Sequence, residues 1–171
     1  FAGKEALAAV GTTGTVINLL VGFFVGVSSG ATVIVSQFFG AEDRENVSKA
    51  VHTSMALAIV GGVVIMVVGF VSARPVLVAM SVPEEILEDA LLYMNVYYAG
   101  IIANMIYNIG TGILRAIGDS RMPLYILIVC CLANVVLDLL FVVVFHWAVF
   151  GVAFATVLSQ VISAALILVR L

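Results

Sequence analysis

Apolar and polar positions divide the chain into five long apolar runs separated by short charged stretches. Segment a covers about Thr15 to Phe39 and segment b about Ala50 to Ala73. Segment c covers about Ala90 to Leu114, d about Met122 to Phe145, and e about Trp147 to Val169. A bilayer core about 30 Å thick needs roughly 20 apolar residues in helical form, and each run is long enough. The runs are continuous rather than alternating, which argues for helices over barrel strands. The uncharged stretch before a is too long for one crossing, so Gly11-Thr12-Thr13-Gly14 is expected to mark its outer boundary. The expected fold class is all-α: a polytopic membrane helix bundle, with residues 1–171 forming a single transmembrane domain.

Composition agrees with that pattern. The chain is 64% hydrophobic and 10% charged, against about 25% charged in soluble domains. The net charge of −3 is small and dispersed, and leaves no footprint for nucleic acid. Cys130 and Cys131 lie inside an apolar run with no CxxC spacing or nearby histidine, so they read as packing residues. Charge sets the orientation. Arg44, Lys49, Arg115, Arg121 and Arg170 fall on one side of the spans. Lys4 and Arg74 fall on the other, with Glu84, Glu85, Glu88 and Asp89. The basic excess places the first side, and the end of the chain, in the cytoplasm. The odd number of spans, and a start at Phe1 with no signal peptide, lead to the expectation of an excerpt from a longer protein.

One residue breaks the apolar text. Asp138 sits in LANVVLDLLFVVVF, Leu132 to Phe145. An acid at a helix centre costs about 2.5–3.5 kcal/mol to insert, so it is expected to face protein or water. Asn134 lies one turn earlier on the same face. The short d–e connection makes e retrace d, which brings Asp138 level with about Phe154 to Thr156. Carboxylate, amide oxygen and hydroxyl are hard donors suited to Na⁺ or a proton. A polar cluster that merely joins helices, at about 0.6 kcal/mol per hydrogen bond, is the plainer alternative.

Segment c carries Tyr93, Tyr97, Gly100, Asn104, Asn108 and Thr111 at steps of three or four, one helical face. Asp138 folds back to the level of Tyr97 and Tyr98, so this stripe reads either as a cavity wall for amphipathic organic cations or as ordinary helix packing. Gly22, Gly26 and Gly30 on segment a suggest a ridge for close helix approach. GVSSG, Gly26 to Gly30, matches the GxSxG elbow, but that motif needs a strand–turn–helix and a positioned histidine. His52 and His146 are neither evident partners, which weakens a serine hydrolase or an intramembrane protease. No GxxxxGK phosphate loop is present, so no ATPase engine is visible.

SQFFGAEDRENVSKAVHTSMALA, GILRAIGDSRMP and NVVLDLLFVVVFHWAVFGVAFATVLSQ together resemble the multidrug and toxic compound extrusion (MATE) transporters over nearly the whole chain. The second motif departs from the family's LRGxGDTRxP at Ala116 and Ser120, and Ala148 and Phe154 stand where small residues or glycine are common. The resemblance implies helices two to six of an N-terminal lobe, in a twelve-helix antiporter of the bacterial cytoplasmic membrane. Inward Na⁺ or H⁺ flow would drive export of drugs and organic cations. It places the ion site on Asp138, Asn134 and Thr156, and the substrate cavity on Tyr93, Tyr97, Asn104 and Asn108. The partners implied are small-molecule drugs, the lipid bilayer, and a second six-helix lobe absent here. No cofactor is implied beyond a Na⁺ held at Asp138 if sodium is the coupling ion. A lipid-linked oligosaccharide flippase shares the broad fold, but it would need cavity-facing basic residues, and these spans contain no lysine or arginine. A membrane scaffold without transport would leave no cavity between the polar faces.

Overall fold

The computed structural model describes residues 3–171, and side chains from Gly11 onward except those of Thr12, Thr15 and Ala148. The charge of Lys4 and the family departure at Ala148 therefore lie outside the described side chains. Six α-helices follow one another: α1 (Gly3–Gly40), α2 (Arg44–Ala79), α3 (Glu84–Ala99), α4 (Ile101–Ala116), α5 (Arg121–Leu139) and α6 (Ala148–Arg170). A π-helical turn, Leu140–Val144, extends α5. No strand occurs among the described residues. Among the described residues, four helices are long and apolar enough to cross a membrane, and the α3–α4 pair, bent by 49°, meets the same measure when taken as one span. In a bilayer each backbone polar group must be satisfied within its own segment, which makes the helix the only open solution. This is an integral membrane protein.

The boundaries differ from the expected ones in instructive ways. Helix α1 continues through Gly11 to Gly14 without a turn, and the apolar crossing proper runs Val16–Gly40. Glycine weakens a helix by only about 1 kcal/mol, too little to break one whose amides have no water to turn to. Segment c is not one straight helix: its backbone breaks at Gly100, whose N–H bonds to Val96 and Tyr97 carbonyls. A side chain at Gly100 would run into Val157 of α6, at 2.7 Å from the nearest methyl. The end of segment d widens into the π turn, where the Phe145 N–H bonds to the Leu140 carbonyl.

Helix α4 is the hub, packed against α1, α2 and α6, whereas α5 rests chiefly on α6. Ile101, Met105, Ile109 and Ile113 of α4 are almost wholly buried. Helix α5 instead turns Leu124, Leu127, Val129, Leu132 and Val136 outward, as a lipid-facing helix should. Close packing uses glycines other than those expected. A Cβ added at Gly22, Gly26 or Gly30 would meet nothing within 4 Å beyond its own helix, so the anticipated ridge on α1 packs against nothing described. Gly110 meets Ile167 of α6, and Gly112 lies against the Ser28 and Thr32 hydroxyls of α1 at 2.5 Å from a would-be Cβ.

The ends that carry Arg44, Arg115, Arg121 and Arg170 form one face of the bundle, here the basic end. Its turns are built by specific residues. Gly118 adopts φ +88°, a conformation that favours glycine. The next residue, Asp119, then accepts the Met122 N–H at 3.1 Å to start α5. Asp119 also pairs with Arg170 at 3.4 Å, tying the start of α5 to the end of α6. Asp43 caps α2 by accepting from the Asn46 backbone at 3.1 Å and its side-chain amide at 2.7 Å. Those two bonds hold the Asp43 carboxyl below its ordinary range.

Candidate functional site

The helix contacts set the depth of every candidate residue. Gly151 of α6 lies against Phe141, so in the antiparallel α5–α6 hairpin Asp138 comes level with about Phe154, and Asn134 one turn nearer the basic end. Gly100 and Gly110 face Val157 and Ile167, so α4 runs parallel to α6 and in step with it. Extended back along α3, that register puts Tyr97 at the same depth as Asp138.

Asp138 is half-buried, and its Oδ1 is fully enclosed without a hydrogen-bond partner. The Nδ2 of Asn134, one turn away, is equally enclosed and unpartnered. A donor and an acceptor thus stand side by side on one helix with unmet capacity. Buried polar atoms of this kind cost about 1–3 kcal/mol each, so their persistence calls for a function or a water. Tyr93 lies near enough to interact electrostatically with the Asp138 carboxylate. Its ring packs beside Val149 and Ala153 of α6. Thr156 stands half-buried at the expected depth, and its hydroxyl donates to the Val152 carbonyl at 2.9 Å, leaving its lone pairs free.

The other candidates divide. Tyr97 is buried, with its hydroxyl beside the Gln160 side chain of α6. Asn104 is buried and Asn108 half-buried, and their amides close on each other: Asn108 Nδ2 donates to Asn104 Oδ1 at 2.7 Å and to the Asn104 carbonyl at 2.9 Å. Ser28 of α1 donates to the Asn108 carbonyl at 2.6 Å. The same bond answers the GVSSG motif. Ser28 sits in mid-helix as a packing donor, with no strand–turn–helix around it.

The sequence reading passed over Ser159, Gln160 and Ser163. They follow Thr156 at steps of three or four on one face of α6, the signal that could have found them. Ser159 and Ser163 are buried. An aromatic cluster closes the far end of this hairpin. Phe141 stacks on Trp147 at 5.4 Å and meets Phe154 edge-on at 5.5 Å.

Fold and site together define a membrane helix bundle in which the half-buried Asp138 keeps one carboxylate oxygen enclosed without a hydrogen-bond partner. The chain belongs to the MatE family, whose model matches residues 1–140. It is 30% identical to the probable multidrug resistance protein YoeA of Bacillus subtilis, over 99% of this chain and 37% of that protein. A structure described as the inward-facing conformation of a multidrug resistance MATE family transporter superposes with a TM-score of 0.95 at 30% identity. It covers 99% of this chain and 38% of that one. The outward-facing conformation of such a transporter superposes at 0.92 and 30% identity, over 97% and 37%. The chain therefore spans well under half the length of the relatives it matches.

Proposed function

We propose that this chain is a lobe of an ion-coupled exporter of organic cations, with Asp138 as the group that holds the proton or Na⁺. The observation that carries the reading is the enclosed, unpartnered carboxylate oxygen of Asp138, one turn from the equally unpartnered Asn134 amide. Thr156 completes the shell through its free lone pairs, and Tyr93 borders it. A cation arriving there neutralises the acid and gives those oxygens the partner that the protein withholds. Tyr93 and Tyr97 offer the aromatic faces that organic cations favour. Asn104 and Asn108 shape the same wall from α4, where the Asn108 amide has spent its N–H groups on Asn104.

Two findings support alternating access. The relatives' names attach multidrug resistance to this fold. The five-crossing unit also matches an inward-facing and an outward-facing structure almost equally well, as a unit that moves as a body would. The basic end is the cytoplasmic end by the positive-inside rule, and the second lobe completes the transporter.

The test is drug resistance in cells expressing the full protein with Asp138→Asn. Resistance should vanish while the protein stays in the membrane at wild-type level. Unchanged resistance would exclude the role. Transport of a lipid-linked sugar instead of a cationic drug would favour the flippase.

A further inference from the structure

Helix α2 is 36 residues long, about 54 Å at 1.5 Å per residue, whereas a bilayer core is about 30 Å thick. No Lys, Arg, Asp or Glu falls between Lys49 and Arg74. That uncharged middle fills the core, so the first turns of α2 stand at headgroup level. A cavity of about 730 Å³ opens there. Val51 of α2, Ile113 and Ile117 at the end of α4, and Leu171 after α6 give it an apolar side. Glu42, Arg44, Ser48 and His52 give it a polar one. Helices α2 and α6 both pack on α4 but not on each other, so the cavity lies at the foot of a gap between them. Val51, Met55 and Ile59 climb α2 from it at steps of four, an apolar track on one face.

The charges around the cavity are partly spoken for. Asp43 is committed to Asn46, and Lys49 to Glu45 at 2.6 Å. Among the described residues, Glu42 and Arg44 join no ion pair, yet they line the same cavity with opposite sign. Glu42 holds its place under strain. Its φ is +58°, at the turn where its N–H meets the Phe39 carbonyl at 3.1 Å and the Asp43 N–H meets the Phe38 carbonyl at 3.0 Å. Glycine is the ordinary residue in such a helix ending, and a charged side chain kept there against strain points to a use for it. Arg44, Ser48 and His52 follow one another at steps of four, so guanidinium, hydroxyl and imidazole share a face of α2. The His52 Nδ1 donates to the Ser48 carbonyl at 2.8 Å, which leaves Nε2 for the cavity.

We propose that this cavity holds the headgroup of a phospholipid from the basic-end leaflet that carries a phosphate beside a primary ammonium, as phosphatidylethanolamine does. The phosphate lies against Arg44 and Ser48, the ammonium donates to Glu42, and one acyl chain rises along Val51, Met55 and Ile59. A wholly anionic headgroup would leave Glu42 opposed by nothing, and a quaternary ammonium has no N–H to give its carboxylate. The site is separate from Asp138 and does not depend on its coupling role.

The test uses the full protein in phosphatidylcholine vesicles containing a trace of phosphatidylethanolamine with a photoactivatable diazirine on its acyl chain. Cross-links should fall on the peptide that holds Val51 and Met55, about tenfold more densely than with a phosphatidylcholine probe of the same chain, the margin of one charge-assisted bond. Glu42→Gln and Glu42→Gly should each remove that margin and leave labelling by the phosphatidylcholine probe unchanged. Glycine suits the +58° turn, so Glu42→Gly should keep or raise the melting temperature, which separates a lost carboxylate from a damaged fold. Equal labelling by the two probes, or a margin that survives Glu42→Gly, would overturn the site. Cross-links no denser here than around the lipid-facing Leu127 would overturn it too, as they would if another segment of the chain filled the cavity.

Discussion

Two polar pairs in this bundle have the same spacing and opposite fates. Asn104 and Asn108 on α4 lie one turn apart and close on each other at 2.7 Å. Asn134 and Asp138 on α5 are also one turn apart, yet the Asn134 amide nitrogen and one Asp138 oxygen remain without partners. Position explains the difference. Helix α4 is enclosed by α1, α2 and α6, and Ser28 of α1 reaches its Asn108 carbonyl at 2.6 Å. Helix α5 touches mainly α6, so few protein groups are within reach of its polar face. A satisfied pair joins helices. An unsatisfied pair keeps the unmet capacity that the proposed coupling role draws on.

The sharpest way to break this contrast is to remove the acid. In vesicles with an imposed ion gradient, Asp138→Asn should reduce drug uptake about a hundredfold, equivalent to about 2.7 kcal/mol. Asn134→Ala should follow with about a tenfold rise in half-saturating cation concentration. Its melting temperature should hold, because the amide it removes bonds to nothing. Asn104→Ala should do the reverse. Losing a closed bond of about 1 kcal/mol should lower the melting temperature by about 2–4 °C and leave cation dependence alone. If Asn104→Ala weakened cation dependence as strongly as Asn134→Ala, the division between joining and coupling pairs would fall. Thr156→Val should raise the half-saturating concentration only about threefold, since its hydroxyl proton is already committed to the Val152 carbonyl.

The smallest effect lies outside the membrane and serves as a control. Asp43 is held below its ordinary range by the Asn46 bonds. Its contribution is therefore complete above the ordinary carboxylate range and is lost as pH falls through the depressed value. On acidification from about pH 7 to about pH 3, the wild type should lose slightly more melting temperature than Asp43→Asn. Transport in that variant should be unchanged at neutral pH.

Part of the candidate site is legible in the order of residues alone. Asp138 stands out because an acid in an apolar run is costly, and the short turn after α5 sets its depth against α6. The Asn104–Asn108 bond was not visible. Spacing places two amides on one face but does not say whether they turn to each other, to a ligand or to a neighbour. The glycine ridge on α1 misled for a similar reason: periodicity shows that a small-residue face exists, not that a helix lies opposite it. Ser159, Gln160 and Ser163 escaped notice because hydroxyls and amides are common in helices, and only the packed bundle shows Ser159 and Ser163 to be buried.

By itself, then, the sequence determined that the chain crosses a bilayer as helices and where its costly groups lie. Both follow from local physics: apolar length, backbone bonds that must close within each helix, and the expense of an immersed charge. Tertiary structure alone decided which polar atoms found partners, where α3 and α4 bend apart, and which glycines let helices touch. Those outcomes depend on what stands across the interface, and residues such as Gly100 and Val157, far apart along the chain, meet only once the bundle has formed.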